Sequence, residues 1–370
     1  MASTSLHHEN LNPGEGSKGE RRYSRTNVRS PMFSLTGKSL YVAALDLWID
    51  SMRMRSRCYV SHGHSDHARI HETIVTTPQN AEICKLRLGD RGRLKAQQAL
   101  LPPADSFEIC YETYGYNEPW REGEHRLTMF SAGHVLGSAQ LMIEGAEGSF
   151  VYTGDFKLGR AYTCEPAEVK RCDVLLMECT YGRPQYVFPP RDEIEEAMID
   201  FALRALEDGC APVFYAYSLG KAQEAMAILG KAGVPLTAHG AVFNMARVYE
   251  SCGVKLPPYE RYDAAGYAGT SALIWPPSGK ALPAALRGKP MRSAVLTGWA
   301  LNRGATYPSG ADAAFALSDH ADFPALLRYL ELAQPRKVLL NHGWRDFSWR
   351  LRRMGVDAEY LDEHQQLALF

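Results

Sequence analysis

The pattern of apolar and polar positions divides the chain into two kinds of segment. Up to residue 181, short apolar runs rich in β-branched and aromatic residues alternate with turn residues, which predicts strands. These runs read SLYVAALDLWID, RCYVSH, TIVTT, HRLTMFSAGH, AQLMIEG, SFVYTGD and DVLLMECTY. Gly145 and Gly148, between two of the runs, predict a hairpin. Because most runs end at a polar residue of a catalytic type, we expect chemistry on the loops at one sheet edge.

The pattern changes after Pro189–Pro190, where helical periodicity begins. In RDEIEEAMIDFALRALEDG, apolar residues recur at helical intervals and the run stops at Gly209, which predicts a helix. Strand and helix patterns then alternate to about residue 305, which is typical of a parallel α/β unit. Beyond that point the chain resembles its first half again. We therefore predict a mobile tail at 1–35, a domain at 36–190 that resumes at 306–370, and an insertion at 191–305.

The overall charge gives no sign of a polyanionic partner. The 370 residues carry 41 Lys and Arg against 42 Asp and Glu, so no global positive field favours nucleic acid. Basic residues do cluster locally, at 53–57, 85–95 and 350–353. Such clusters are more often solvated faces than phosphate-binding tracks, and they gain weight only if the chemistry points to a polyanion.

Cysteine usage and hydropathy favour the cytoplasm. The eight cysteines form no C-x-x-C pair, which is typical of reduced thiols in a chain of this length. No run approaches the roughly 18 apolar residues of a membrane span. The N-terminal tail is rich in Gly, Ser, Asn and charge and has no apolar signal core, so we expect no membrane partner.

One stretch, SHGHSDH at residues 61–67, concentrates side chains that bind metals. His62 and His64 are two positions apart, so at a strand end they point to the same side. Asp66 and His67 follow at a turn and can face another direction. One loop therefore offers two half-sites, which suits a pair of zinc or manganese ions with open coordination positions.

Further candidates stand at the ends of other predicted strands. A lone histidine or acid at such a position is more often a satisfied polar residue than a ligand, but the H-x-H-x-D-H motif nearby strengthens the case that each candidate is functional. The candidates are Asp50, His134, Asp155, Glu178, His320 and His342. His71 lies outside the spacing and is expected on a helix surface, and His125, His239 and His364 are expected to be structural.

Taken together, these motifs resemble the metallo-β-lactamase superfamily. SHGHSDH, AGHVLGSA, YTGDF, ECTYG, LSDHADF and NHG are similar to motifs of its β-CASP nucleic-acid hydrolases, and PVFYAYSLGKAQE is similar to the start of their inserted domain. The length and the LTGWALNRG and FALSDHADF runs most resemble bacterial ligase-associated DNA exonucleases, which are similar to mRNA 3′-end processing factors. The fold implied is α/β, an αββα sandwich of the metallo-β-lactamase type with an inserted β-CASP α/β domain and a cleft between them.

The resemblance also implies roles for the candidate residues. One metal would be held by His62, His64 and His134, and the other by Asp66, His67 and His342, with Asp155 bridging both. Asp66 and Asp155 would orient the attacking water, and Asp50 would be a buried residue that orients a ligand. His320 would be a catalytic histidine outside the ligands, positioned by Glu178. Two divalent ions are expected, Zn²⁺ as bound and Mn²⁺ as an alternative for activity.

The function implied is a metal-dependent exonuclease that acts on DNA from a 3′ end in repair, alongside a DNA ligase or helicase. Water activated by the two metals would attack phosphorus, and His320 would protonate the leaving oxygen. An RNA-processing endo- or exoribonuclease of the same group is the first alternative, because His342 is a histidine where the eukaryotic DNA-directed members usually lack one. The two functions would share every catalytic residue. A small-molecule metallohydrolase is disfavoured because it needs neither the insertion nor the basic clusters. A scaffold without metal is disfavoured because all seven ligands are present.

Two features of the predicted insertion and its surroundings admit more than one interpretation. The turn at Ser218 and Gly220, followed by Lys221, could bind a substrate phosphate at a helix N-terminus, or it could be a plain loop. Several aromatic residues could stack on bases, although core packing is favoured for each of them: Tyr215, Tyr217, Trp299 and Trp344. Nothing in the sequence indicates an oligomeric state.

Overall fold

The computed structural model describes residues 34–36, 39–89, 108–277, 288, 290–301 and 310–361. In these ranges the strands are β1 Ser34–Thr36, β2 Ser39–Val42, β3 Leu47–Ile49, β4 Arg57–Tyr59, β5 Thr73–Thr76, β6 Cys110–Thr113, β7 Trp120–Glu122, β8 His125–Ser131, β9 Ala139–Gly145, β10 Gly148–Tyr152, β11 Val174–Cys179, β12 Ala211–Tyr215, β13 Leu236–Ala238, β14 Glu260–Arg261, β15 Ala272–Trp275, β16 Met291–Leu296, β17 Ala313–Phe315, β18 Lys337–Gly343 and β19 Ala358–Tyr360. The α-helices are α1 Pro78–Leu88, α2 Arg191–Glu207, α3 Lys221–Lys231, α4 Gly240–Ser251, α5 Phe323–Ala333 and α6 Asp346–Arg353, and Ala43–Leu45 and Gly298–Leu301 are 3₁₀ turns.

Two sheets pack face to face and carry helices on their outer faces. The first has the order β1-β2-β3-β4-β5-β6 and the second the order β19-β18-β11-β10-β9-β8-β7. Tyr59 of the first sheet and Leu141 and Tyr152 of the second are buried in the core between them. Helix α1 covers the first sheet, and α5 and α6 cover the second through residues such as Tyr329 and Leu351. The αββα sandwich expected from the resemblance is confirmed.

A third sheet forms the parallel α/β unit that the alternation of strand and helix patterns predicts. Its order is β14-β13-β15-β12-β16-β17, and every pairing is parallel. Helices α2, α3 and α4 bury Met198, Met226 and Ala246 against one face of it. Strand β17 begins beyond residue 305, so this sheet extends further than the sequence pattern indicated. The exact domain limits stay a prediction.

The third sheet and its helices lie close against the sandwich, and this contact positions the functional site. Leu219 and Tyr249 pack with Ile83 and Val135 of the sandwich in one apolar cluster. Gly220 adopts a φ of +86°, and a Cβ there would lie 2.5 Å from Val135 Cγ1. The turn at residues 218–221 is therefore held directly over the strand ends of the sandwich.

Several local predictions can be compared with these elements. Gly145 pairs with Gly148 across β9 and β10, which confirms the hairpin. Helix α1 has no clear sequence periodicity, yet it begins with Thr77 as an N-cap and Pro78 in its first turn.

None of the described helices combines the length and apolar character that crossing a membrane requires. Most of the predicted tail at 1–35, and His364, lie outside the described residues.

Candidate metal centre

Strand ends of both packed sheets bring the predicted ligands together. His62, His64 and His67 lie on the loop after β4, His134 lies after β8, and Asp155 lies after β10. His62 and His67 are fully buried, and His134 and Asp155 are nearly so. Ligand atoms of His62, His64, His134 and Asp155 all lie within 4.8 Å of one another, which a single metal ion could bridge.

One carboxylate oxygen, Oδ2 of Asp155, is the centre of this group. Nε2 of His62 lies 3.5 Å from it, Nε2 of His67 3.4 Å and Nε2 of His134 3.9 Å. Nε2 of His320 approaches the same oxygen to 4.0 Å. Although burial by itself raises the pKa of Asp155, His67 and His320 hold that pKa well below the usual range. Asp155 is therefore a carboxylate at the focus of four imidazoles.

The outer nitrogens of two of these imidazoles are engaged with backbone carbonyls. His134 Nδ1 donates to the Asp319 carbonyl at 2.7 Å, and His64 Nε2 donates to the Leu219 carbonyl at 3.2 Å. With those protons assigned, His64 Nδ1 and His134 Nε2 face each other at 3.0 Å as two lone pairs. Two lone pairs at that distance repel unless a cation lies between them, which is the arrangement of a metal site with its ligands oriented from outside.

Burial keeps these imidazoles neutral, as metal ligands must be. It lowers the pKa of His62 well below its ordinary value and that of His64 to about 3, and it also lowers the pKa of His134. Nε2 of His62 and Nε2 of His67 are buried and have no hydrogen-bond partner among the described residues. Orphaned buried nitrogens are costly unless something binds them, so the donor set fits a metal ion of the imidazole-binding type.

Asp50 contacts Nδ1 of His67, the ring nitrogen that faces away from Asp155, which is the orienting position that the resemblance implies. Its carboxylate accepts hydrogen bonds from His67 Nδ1 at 2.7 Å, from Tyr152 Oη at 2.8 Å and from the Ser61 backbone N–H at 2.8 Å. This arrangement fixes the ring so that Nε2 points at Asp155. Burial opposes a charge on His67, but Asp155 and Asp50 raise its pKa well above the ordinary value. Metal binding at His67 would therefore release a proton.

The second predicted half-site is more open than the first. The rings of His67 and His342 stack with their centroids 4.8 Å apart, and His342 adopts a φ of +45° at the end of β18. Asp66 is exposed and lines the same cavity as His342 and Asp155. Asp66 and His342 thus line one cavity, with the ring of His67 stacked on that of His342, and the role of these three side chains as ligands stays a prediction.

His320 and Glu178 form a pair beside the cluster. His320 Nδ1 lies 2.9 and 3.0 Å from the two Glu178 oxygens, and Glu178 is fully buried. That carboxylate also accepts from the Phe156 N–H at 2.9 Å and from the Thr180 hydroxyl, so its orientation is fixed. Burial disfavours the charged imidazole, but Glu178 and Asp155 raise the pKa of His320 to about 9. His320 is therefore a protonated group at neutral pH.

A cavity of about 850 Å³ opens in front of this cluster, between the sandwich and the third sheet. Its walls include Asp155 and His320 on one side and Tyr217 and Trp299 on the other. Tyr217 is 57% exposed and Trp299 37% exposed. The preference for core packing was therefore wrong for Tyr217, whose position at the cleft wall leaves its ring open to solvent. Trp299 packs against Tyr181 and Tyr186 and is only partly exposed. Tyr215 is buried, as that preference predicts.

The turn predicted to bind phosphate is engaged within the protein. The Gly220 N–H donates to Gln223 Oε1 at 2.9 Å, and the Lys221 ammonium forms a short, buried ion pair with Asp319. Ser218 lines the cavity, and its carbonyl accepts from Gln223. Neither the Gly220 N–H nor the Lys221 charge is unpaired here, and phosphate binding at this turn stays a prediction.

Sequence reasoning missed some contributors and misplaced one histidine. Asp319 stands next to His320 in LSDHADF, where its acidic type was a signal, but its backbone contact to His134 has no signature in the sequence. The same holds for the Leu219 carbonyl. His71 was expected on a helix surface, and this expectation was wrong. It is buried in a loop, where its Nδ1 accepts from the Arg55 N–H at 3.1 Å.

Comparisons with known proteins agree with this architecture. No protein-family model matches the chain. The chain is 37% identical over 332 residues to a probable DNA ligase of Opitutus terrae, which covers 89% of this chain and 31% of that protein. It is 28% identical over 207 residues to an RNase J-like protein of Methanocaldococcus jannaschii, which covers 52% of this chain and 49% of that protein. It is 29% identical over 216 residues to transcription termination factor FttA of Pyrococcus abyssi, which covers 51% of this chain and 33% of that protein.

A solved structure shows the same fold at low sequence identity. It is a protein of unknown function from Enterococcus faecalis V583, with a TM-score of 0.53 and 14% identity, and the match covers 84% of this chain and 80% of that one. The three curated relatives are longer, and this chain spans between about a third and half of their length.

Proposed function

Because the chain belongs to the β-CASP group of the metallo-β-lactamase superfamily, we propose that it is a metal-dependent nuclease that hydrolyses phosphodiester bonds of DNA. The observation that carries this proposal is the ring of imidazole nitrogens around Asp155 Oδ2, which opens to the cavity beside His320. A small-molecule hydrolase would need no second α/β unit over its cleft. The covered cleft thus favours a polymeric substrate.

The donor set suits two divalent ions. His62, His64 and His134 would hold one, Asp66, His67 and His342 the other, and Asp155 would contact both. When bound, such ions lower the pKa of water towards neutrality and neutralise charge that builds on phosphoryl oxygens. Imidazole and carboxylate ligands suit Zn²⁺ as the resident ion, and Mn²⁺ accepts the same donors.

The chain's own contribution to proton transfer is the pair of His320 and Glu178. Glu178 accepts the Nδ1 proton of His320, so the imidazole presents Nε2–H towards the Asp155 side of the cavity. With a pKa raised to about 9, His320 carries the proton that a leaving alkoxide needs. General acids of this kind contribute typically 10²–10⁴-fold to rate. His320→Ala should therefore retain metal and lose activity by about that factor.

Two relationships bear on the choice of nucleic acid. A relative that matches 89% of this chain is named a probable DNA ligase, which supports DNA as substrate. The action from a 3′ end, and work alongside a ligase or helicase in repair, are part of the proposal. RNA processing is the second candidate, because relatives named RNase J-like and RNase aCSPSF2 match about half of the chain. Both functions would use the same metal ligands and the same His320.

A paired digestion assay tests the proposal. DNA and RNA oligonucleotides labelled at the 5′ or the 3′ end are incubated with the full chain and Mn²⁺ or Zn²⁺ and resolved on a gel. Stepwise shortening of 5′-labelled DNA, with RNA intact, is the expected result. Asp155→Asn is the inactive control, and the exposed Arg328→Gln is the active one.

The other outcomes are equally informative. Preferential cleavage of RNA would replace DNA repair by RNA processing. Internal cuts in place of a ladder would exclude the exonuclease. No cleavage of either polymer by a chain with bound metal would refute the nuclease.

A further inference from the structure

The basic cluster near the C-terminus follows a half-buried tryptophan at the edge of the cleft. Trp344 lines the cavity two residues after His342, and α6 starts just beyond it at Asp346. Phe347 and Leu351 of α6 are buried in the sandwich core. The opposite face of the helix is therefore turned outwards.

That outward face combines an indole with guanidinium groups. Arg345, Trp349 and Arg353 follow one another at four-residue spacing, which places them along one side of the helix. Trp349 is 50% exposed, and the Arg353 guanidinium lies 4.8 Å above its ring. The Arg345 guanidinium lies 5.6 Å above the ring of Tyr360. We call the face formed by Arg345, Trp349 and Arg353 the α6 track.

The positive charge beside Trp349 is not neutralised by the acids of the helix. Arg350 pairs with Asp346 at 3.5 Å, and Arg352 donates to the Ala358 carbonyl. Arg353 makes no ion pair among the residues that the structure describes. An exposed indole beside the Arg353 guanidinium matches the surfaces on which single-stranded nucleic acids bind, because every base can stack and every phosphate is anionic.

We propose that the α6 track binds the single-stranded segment of nucleic acid that extends out of the cleft past Trp344. This inference rests on the proposed function and adds to it a substrate class, a strand with unpaired bases. At 1.5 Å per residue, Arg345 to Arg353 spans about 12 Å, which is long enough to contact a few nucleotides of a single strand. In a duplex the bases are stacked internally and cannot stack on Trp349.

A second copy of the chain is the competing occupant. A symmetric contact would place the same patch on both subunits, so arginines of the two copies would face each other. Like charges across an interface oppose association. The charge pattern thus favours an anionic polymer over self-association.

The test is binding of a fluorescent oligodeoxythymidine to the full chain, measured by anisotropy over a range of salt with a chelator present to prevent hydrolysis. Trp349→Ala should weaken binding by about fivefold or more with little change in salt dependence, and Trp349→Phe should retain most affinity. Arg353→Gln should reduce the slope of log K against log salt by about 0.7, because one phosphate contact is lost. Arg328→Gln and Leu332→Ala, on the exposed face of α5, should change neither.

The controls separate this inference from the nuclease itself. Hydrolysis of a small phosphodiester, bis(p-nitrophenyl) phosphate, should be the same in all these variants, because the track lies outside the metal centre. The proposal would be overturned if the track variants bound single strands as tightly as the α5 control variants do. It would also be overturned if the track variants lost as much affinity for duplex as for single strands. A change of sedimentation coefficient in Trp349→Ala, which would indicate self-association, would overturn it as well. A chain that hydrolyses no diester yet shows the expected binding pattern would refute the nuclease and still support the track.

Discussion

Replacing Lys221 by methionine removes one partner of a buried ion pair that lies directly behind the metal ligands. Lys221 and Asp319 are both buried, and the carbonyl of Asp319 is the acceptor that orients His134. The turn that carries Lys221 also supplies the Leu219 carbonyl that orients His64. We therefore expect Lys221→Met to affect both stability and metal affinity.

The size of the effect follows from the burial of the pair. Loss of one partner of a buried pair leaves an uncompensated charge and costs about 3–5 kcal/mol of unfolding free energy. Lys221 together with the neighbouring histidines holds the pKa of Asp319 below its ordinary value, so the pair contributes stability above that value and loses it as the pH falls. The deficit of Lys221→Met should therefore be full above about pH 4 and should shrink as the pH falls below that value.

Denaturant unfolding at several pH values measures this deficit, and competition with a chromophoric chelator measures zinc affinity. If the Asp319 carbonyl no longer holds His134 in place, zinc affinity should fall by about tenfold. This is the lower end of the loss of metal affinity that is typical when a group that orients a ligand is removed. Lys85→Met is the matched control, because Lys85 pairs with Glu82 on the exposed surface and its loss should cost at most about 1 kcal/mol. The double variant Lys221→Met with Asp319→Leu should recover most of the stability.

A destabilisation of Lys221→Met no larger than that of Lys85→Met would refute this reasoning. So would a deficit that grows as the pH falls, because the buried carboxylate would then not be its source. Unchanged zinc affinity together with a large loss of stability would show that the pair is structural only.

Three further predictions concern the metal centre. Asp50→Asn replaces the charged acceptor of His67 Nδ1 by a neutral one, and zinc affinity should fall about 10- to 100-fold in the chelator competition; unchanged affinity would contradict this. Glu178→Gln lowers the pKa of His320, so the alkaline limb of the pH–rate profile should move to lower pH, whereas an unmoved limb would exclude His320 as the acid. Zinc at 100 times its dissociation constant should raise the unfolding free energy by about 2.7 kcal/mol, and Asp155→Asn should lose most of this gain; equal gains in both would argue against Asp155 as a ligand.

The secondary structure could be predicted from the sequence where the residue types directly reflect burial. The sequence predicts the strands, the hairpin at Gly145 and the parallel α/β unit, since β-branched runs and helical periodicity follow the burial of side chains. Helix α1 was not predictable in this way, because its buried side includes the polar Asn80, which bonds to Thr76 and the Val60 carbonyl. A buried amide whose NH₂ group donates such hydrogen bonds looks like surface in a hydropathy pattern.

The candidate site likewise has residues that the sequence reveals and contacts that it does not. His62, His64, Asp66 and His67 stand out because their types and spacing are rare in combination. The groups that orient them are backbone carbonyls of Leu219 and Asp319, and any residue type can supply a carbonyl. Tyr217 was ambiguous for a related reason, because an aromatic residue at a strand end has the same pattern whether it faces the core or a cleft.

These orienting contacts link the metal centre to the α/β unit that covers it. His64 is held by a carbonyl of the turn that begins α3, and His134 is held by a residue that Lys221 of the same helix fixes in place. Any movement of that unit that withdraws the turn at 218–221 must therefore weaken metal binding. By linkage, bound metal must favour the position of the unit seen here by the same free energy. An opening of the cleft to admit a strand would then occur about hinges that leave this turn in contact with the sandwich.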